Sequence, residues 1–399
     1  MQDSCPTPEP FRESIGIIVF LAWLFYLAFI SRIIFAPIMP ALEHSFDISH
    51  TQAGSLFLMI SLGFLIAPFC SGIISSKINH RWTLFLSAIV IGVALGLFNI
   101  FDSFFSIQVL MIVIGFSAGL HTPSAIATIT AQVTKEDWGK ALGLYQTSPP
   151  FTFVTAPIIA AALMGVMHWK IILLLIGCMA VLSGFTFAFF GKGGDFPGQA
   201  LNVTIARDIL QRPSFWIMAC LFAMAMAGNA GIFTMLPLYL TNERGMTLTF
   251  ANTIIGLSQI SGLVMVFVAG LITDRIGQQR TMASVLVTGG ILTLLLGASS
   301  GKLLIVAIFL QPIFINSFFP GAFGALARIA PPSMRSVSSA LAPPISFLLG
   351  GGIIPIFLGY MGETFSFSTG IITVGIIMLL MPVLILFLKI GQYDNEDGC

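Results

Sequence analysis

Apolar residues along this chain gather in runs of about 20 or more, the length a helix needs to cross the hydrocarbon of a bilayer. The runs lie at residues 15–40, 51–75, 82–101, 104–132, 140–165 and 169–191, and again at 213–241, 248–272, 280–299, 303–330, 336–361 and 366–389. The longest polar interval, GKGGDFPGQALNVTIARDILQR, separates the sixth run from the seventh. The pattern predicts an all-α membrane protein of twelve transmembrane helices in two pseudo-symmetric six-helix bundles, residues 1–191 and 213–399, joined by a cytoplasmic linker at 192–212. The halves echo each other: Ala53–Gly72 and Ala251–Gly270 are offset by 198 residues and each leads into a short basic loop. Proline pairs, Pro149-Pro150 and Pro343-Pro344, recur near the start of the fifth and eleventh spans.

Composition agrees with the pattern. Hydrophobic residues make up 57% of the 399, charged residues only 8%, and the mean hydropathy is +0.99, whereas soluble domains carry about 25% charge. A net charge of +1 gives a nucleic-acid partner no electrostatic support. The five cysteines (Cys5, Cys70, Cys178, Cys220, Cys399) are scattered and form no C-x-x-C pair, so they indicate neither a disulfide framework nor a zinc site. The opening MQDSCPTPEPFRES lacks the features of a cleaved secretory leader, and the first span is expected to be retained.

Lysine and arginine set the orientation. With the N-terminus inside, Arg12, Lys77, Arg81, Lys135, Lys140, Lys192, Arg207, Arg212, Arg275, Arg280, Arg328, Arg335 and Lys389 fall on the cytoplasmic side, and only Lys170, Arg244 and Lys302 outside. Both termini are expected in the cytoplasm, with the chain in a bacterial inner membrane.

The loop after the eighth span reads GLITDRIGQQR, with Gly270, Asp274, Arg275 and Gly277 followed by Arg280. With twelve spans and the internal repeat, it resembles the major facilitator superfamily over nearly the whole chain. The resemblance implies a transporter whose loop charges pair with neighbouring helices in one conformation and release them in another. The corresponding first-half loop, GIISSKINHR, keeps Gly72, Lys77 and Arg81 but has Ser76 where the family has an acid and Asn79 where it has glycine. RIIFAPIMPAL in the first span is similar to the organophosphate and organic-anion branches of the family, where an arginine at the position of Arg32 contacts an anionic substrate. The arginine of the drug/proton antiporters, four residues before a glycine in the fourth span, is replaced here by Gly115. Their fifth-span G-P-x-x-G-G ending is missing too, which demotes efflux.

Arg32 lies midway along the first run, too deep to snorkel easily, and no Asp or Glu falls inside any of the twelve runs. A charge at that depth costs about 3 kcal/mol on insertion scales and usually marks function. Backbone carbonyls, water or an anionic ligand remain as its partners. Ser117, His121, Ser124 and Thr128 share one face of the fourth span, and His121 is the one ordinary proton carrier at the centre. Tyr145 and Gln146 in the fifth span, and Asn229, Gln259 and Asn316 in the second half, supply further polar contacts near the midplane, although amides also serve as plain interhelical glue. Glycines in LLGGGIIP (348–355) suggest a hinge.

These residues point to a secondary active transporter that moves a small organic anion by alternating access. Protons are its coupling ion, the lipid bilayer its medium, the state monomeric, and no cofactor or metal is implied. Anion exchange, drug or metabolite efflux and a transport-dead membrane sensor are the alternatives. An intramembrane enzyme is the poorest alternative, since the centre offers a single histidine and no nucleophile with its base, metal cluster or acid pair.

Overall fold

A computed structural model describes residues 10–200, 202–329, 331 and 334–388. Cys5, Cys399 and Lys389 of the sequence reading lie outside the described residues. The described chain is helical, without strands. Buried in hydrocarbon, a backbone must satisfy its own N–H and C=O groups, and continuous helices do so.

In the first half the helices are α1 (Phe11–Ile33), α2 (Phe35–Phe46), α3 (His50–Leu97), α4 (Phe104–Gln132), α5 (Trp138–Tyr145), α6 (Ser148–Leu163) and α7 (Trp169–Phe190). After a short α8 (Val203–Leu210) come α9 (Pro213–Met226), α10 (Ile232–Asn242), α11 (Leu248–Ile276), α12 (Gln278–Ala298), α13 (Gly301–Asn316), α14 (Phe318–Arg328), α15 (Arg335–Phe347), α16 (Ile354–Thr364) and α17 (Phe367–Leu380). Side chains of Ser103, Thr247 and Ser366 accept from backbone amides of Ser106, Phe250 and Thr369, capping α4, α11 and α17.

Among the described residues, ten helical segments are long and apolar enough to cross a membrane. One of them, α3, is two helices merged across Asn79, whose φ of 64° and ψ of 172° break the helical path. Over the expected fifth span the chain forms two shorter helices, α5 and α6, divided at Gln146 and Thr147, neither of them among the ten. The first span runs further than its apolar run: helix continues through Phe46, which carries Glu43 into a helical segment otherwise free of acids after Glu13.

The chain divides into two compact units, each described separately: the chain to Phe35 with Leu62–Ala156 and Leu163–Leu201, and Ala36–Ser61 with Pro157–Ala162 and everything from Asn202. In the first, Ile18, Leu21, Leu24 and Phe25 of α1 meet Ala125 and Ile129 of α4, Ala141 and Tyr145 of α5 and Phe187 of α7. In the second, α12 packs along α17, α11 along α13 and α9 along α15. Large apolar side chains such as Leu182, Phe185, Phe189 and Phe190 remain exposed on α7, as lipid-facing residues should.

Candidate functional site

Arg32 is buried near the end of α1, and its guanidinium carbon lies 4.5 Å from the ring centroids of both Phe29 and Phe64. Two aromatic faces are a partner the sequence reasoning did not weigh. Such cation–π contacts contribute about 2 kcal/mol or more each when desolvated, enough to help hold a cation at this depth. A guanidinium held by ring faces keeps its N–H donors in its own plane, and that edge suits a carboxylate or phosphate.

His121 and Tyr145 come together in the core of the first unit. The His121 ring is parallel to Phe25 (5.7 Å, 7°) and to Tyr145 (6.3 Å, 15°), while Phe25 and Tyr145 stack at 4.5 Å. Gln146, next to Tyr145, is exposed at the break between α5 and α6. The polar face of α4 is largely engaged with α3 and with itself. Ser87 Oγ donates to the Ser117 carbonyl at 2.7 Å, His80 Nδ1 meets Ser124 Oγ at 3.2 Å, and Thr128 Oγ1 donates to the Ser124 carbonyl at 2.8 Å.

The second unit gathers the predicted amides. Asn229 Nδ2 donates to Asn316 Oδ1 at 2.5 Å, and Gln311 Nε2 donates to the Gly228 carbonyl at 2.7 Å. Gly262 of α11 packs against the Asn316 side chain, and Gln259, one turn away on the same helix, is buried. Asn229 sits in a π-helical turn, Ala227–Gly231, between α9 and α10, and a second π turn, Leu348–Ile353, lies between α15 and α16. The two turns pack together, because a Cβ at Gly231 would collide with the Gly350 carbonyl and one at Gly350 with the Ala223 carbonyl. Such turns tend to occur at functional sites. The glycine run of 348–355 signalled the second; nothing in AGNAG signalled the first.

The two loop motifs differ in an unexpected direction. Asp274, Arg275 and Arg280 are exposed and enter no ion pair among the described residues, and Gly270 and Gly277 have open space around them. The departing first-half loop is the engaged one. Arg81 Nη1 donates to both oxygens of Asp195 at 3.0 Å, its Nη2 donates to the Gly191 carbonyl, and its amide donates to the Gly194 carbonyl at 2.9 Å. Phe196 lies edge-on to His80 at 4.8 Å, and Gly198 N donates to the Ser75 carbonyl. A Cβ at Gly72 would strike the Gln199 carbonyl. Lys77 remains exposed beside this strap of residues 191–199. Asp195 thus supplies, from the linker, the acid that Ser76 does not.

Comparison with known proteins bears on the family. The model of the Major Facilitator Superfamily matches residues 21–293 and 240–396. The membrane sensor protein UhpC of Escherichia coli (strain K12) is 22% identical over 283 residues, 65% of this chain, and the match spans 64% of that protein's length, just under two thirds. The multidrug efflux protein YfmO of Bacillus subtilis (strain 168) is 24% identical over 88% of this chain and 87% of its own. The hexuronate transporter of the same organism is 20% identical over 69% of this chain and 68% of its own. Among solved structures, a bacterial homolog to the human lysosomal transporter Spinster, in an inward-facing and occupied conformation, superposes with a TM-score of 0.82 at 13% identity, over 96% of this chain and 97% of that one. With the family model matching along nearly its full length, the chain belongs to the major facilitator superfamily.

Proposed function

We propose that this chain is a secondary active transporter of a small organic anion, with twelve spans arranged as six plus six and both termini in the cytoplasm. Arg32 carries the proposal: a buried cation on the first span, held by aromatic faces, has the chemistry to meet one negative charge. The similarity to a hexuronate transporter supports an anionic substrate. Asn229, Gln259 and Asn316 would provide polar contacts from the second half, and Tyr145 and Gln146 from the first. Coupling to protons through His121 is the proposed driving arrangement, and anion-for-anion exchange is the alternative that needs no carrier. Transport by His121→Gln with its full dependence on a pH gradient would remove the proton role from that residue.

Thermal-shift measurements on purified protein against small carboxylates, phosphate esters and lipophilic cations, run in parallel on Arg32→Ala, test the substrate class. Stabilisation by an anion that disappears in the variant supports the reading. Stabilisation by cations, or anion effects that survive the substitution, would favour efflux, as the similarity to YfmO suggests. Anion binding without uptake into proteoliposomes would favour the sensor alternative, for which UhpC is the relative.

A further inference from the structure

At one end of the second unit α2 gives way to α3 through residues 47–49, with Asp47 at φ 50°. Glu43, on the last turns of α2, is only 9% exposed, and its two carboxylate oxygens lie 2.9 and 3.0 Å from His50 Nδ1. The other ring nitrogen, Nε2, lies 3.4 Å from Asn242 Nδ2 at the end of α10, and the Phe367 ring of α17 sits 5.0 Å away. Two more carboxylates converge on the same spot. Glu363 of α16 accepts from Thr51 N at 2.7 Å and from Thr51 Oγ1 at 2.8 Å. Glu243, following α10, accepts from the amides of Phe367 and Ser368 and from Ser368 Oγ at 2.8 Å. Both act on His50 electrostatically. Other charged or titratable groups near the cluster are His44 and Asp47 beside Glu43, and Arg244. Arg244 is engaged with Tyr239 Oη at 2.9 Å, the Gly297 carbonyl at 3.0 Å and Ser368 Oγ at 3.1 Å.

Beneath the cluster the start of α3 lies directly on α16. A Cβ at Gly54 would collide with the Pro355 carbonyl, one at Gly359 with the His50 carbonyl, and Ser61 is fully buried where a Cβ on Gly352 would meet its side chain.

We propose that His50 is a proton-operated clasp on the seam between α3 and α16. As an imidazolium it offsets one of three converging carboxylates and ties the start of α3 to the ends of α10 and α16 and the start of α17. Without its proton the carboxylates of Glu43, Glu363 and Glu243 repel one another and the seam loosens. The ring is 26% exposed, so solvent protons reach it. Asn242 accommodates both states: the neutral ring accepts from Nδ2, and the charged ring is met by Oδ1 once the amide turns over. The clasp concerns opening of the seam and is independent of which substrate Arg32 meets.

The test is the rate at which a charged, water-soluble maleimide labels Ser61→Cys in nanodiscs, in a background where the five native cysteines are serine. Rates are compared between variants at each pH, so that the thiol's own titration cancels. Relative to His50→Lys, which keeps a charge at all pH values, the parent should label equally slowly at pH 6 and about fivefold faster at pH 8.5, the scale of one partly exposed ion pair. His50→Gln should label fast at both. Glu43→Gln should narrow the response from both ends, loosening the seam at pH 6 and relieving repulsion at pH 8.5. A parent whose ratio to His50→Lys does not change with pH overturns the proposal, as does a His50→Gln chain that keeps the parent's pH response.

Discussion

Asn229 and Asn316 hydrogen-bond each other inside the second unit, the first half-buried and the second buried, and this gives the pair a testable worth. Interhelical side-chain bonds in membrane proteins average about 0.6 kcal/mol, so Asn316→Ala should cost little in thermal stability. If the pair also meets substrate, that variant will lose anion-induced stabilisation well beyond its own small destabilisation, and equal losses with and without anion would reduce the pair to glue. Asp137 is a contrasting case at the surface. Its carboxylate accepts from Lys140 Nζ at 2.6 Å and from the Phe11 amide at 3.1 Å, pinning the start of α1. Chiefly the Lys140 bond, then the Phe11 amide, holds its pKa below the ordinary 3.8. A depressed carboxylate stabilises the fold above its ordinary pKa and loses that contribution as pH falls through the folded value. Asp137→Asn should therefore melt lower than the parent by a constant margin from pH 8 to about 5, and the margin should close in stronger acid. Sequence alone placed Arg32, Gln259 and Asn316 inside apolar runs, and all three are buried. It could not give the aromatic faces around Arg32, because Phe29 is one turn away but Phe64 arrives from another helix.

Elements were legible wherever hydropathy changes along the chain, which is why the boundaries 104–132 and 169–191 nearly coincide with α4 and α7. Breaks within a run were not, because a π turn or the split at Gln146 leaves the hydropathy unchanged. The π turns of 227–231 and 348–353 depend on glycine at their contact, so Gly350→Ala should cost about 1–3 kcal/mol as an overpacked site does, measured by thermal unfolding in detergent. A stability unchanged by that substitution would mean that the turns do not need close approach. The strap of 191–199 was hidden for the opposite reason. A polar, glycine-rich interval reads as a plain linker, yet Gly193 and Gly194 at φ 80° let it fold back on α3 and α4. Asp195→Asn should make this strap more susceptible to limited proteolysis, as should Arg81→Ala. The exchanged pair, Arg81→Asp with Asp195→Arg, should recover part of the protection. No recovery would assign the strap's hold to its backbone hydrogen bonds with Arg81 and Ser75 instead.

At the scale of the whole molecule the sequence's clearest statement is the uneven placement of lysine and arginine, and it bears on what the carboxylate–histidine clasp senses. The same count that puts Lys140 and Arg275 inside puts Arg244 and Lys302 outside, and the clasp lies beside Arg244. Single cysteines at Lys140 and Lys302, in the cysteine-free background, should then divide cleanly in intact cells. A membrane-impermeant maleimide should label the Lys302 position without lysis and the Lys140 position only after it. With that result, His50 faces the external medium, and acidity outside would hold the α3–α16 seam closed. The inverse labelling pattern would refute the proposed orientation and turn the same residues to the cytoplasm, where the buffered pH varies too little to work the clasp. The chemistry of the clasp is the same in both cases, and only the labelling decides which compartment operates it.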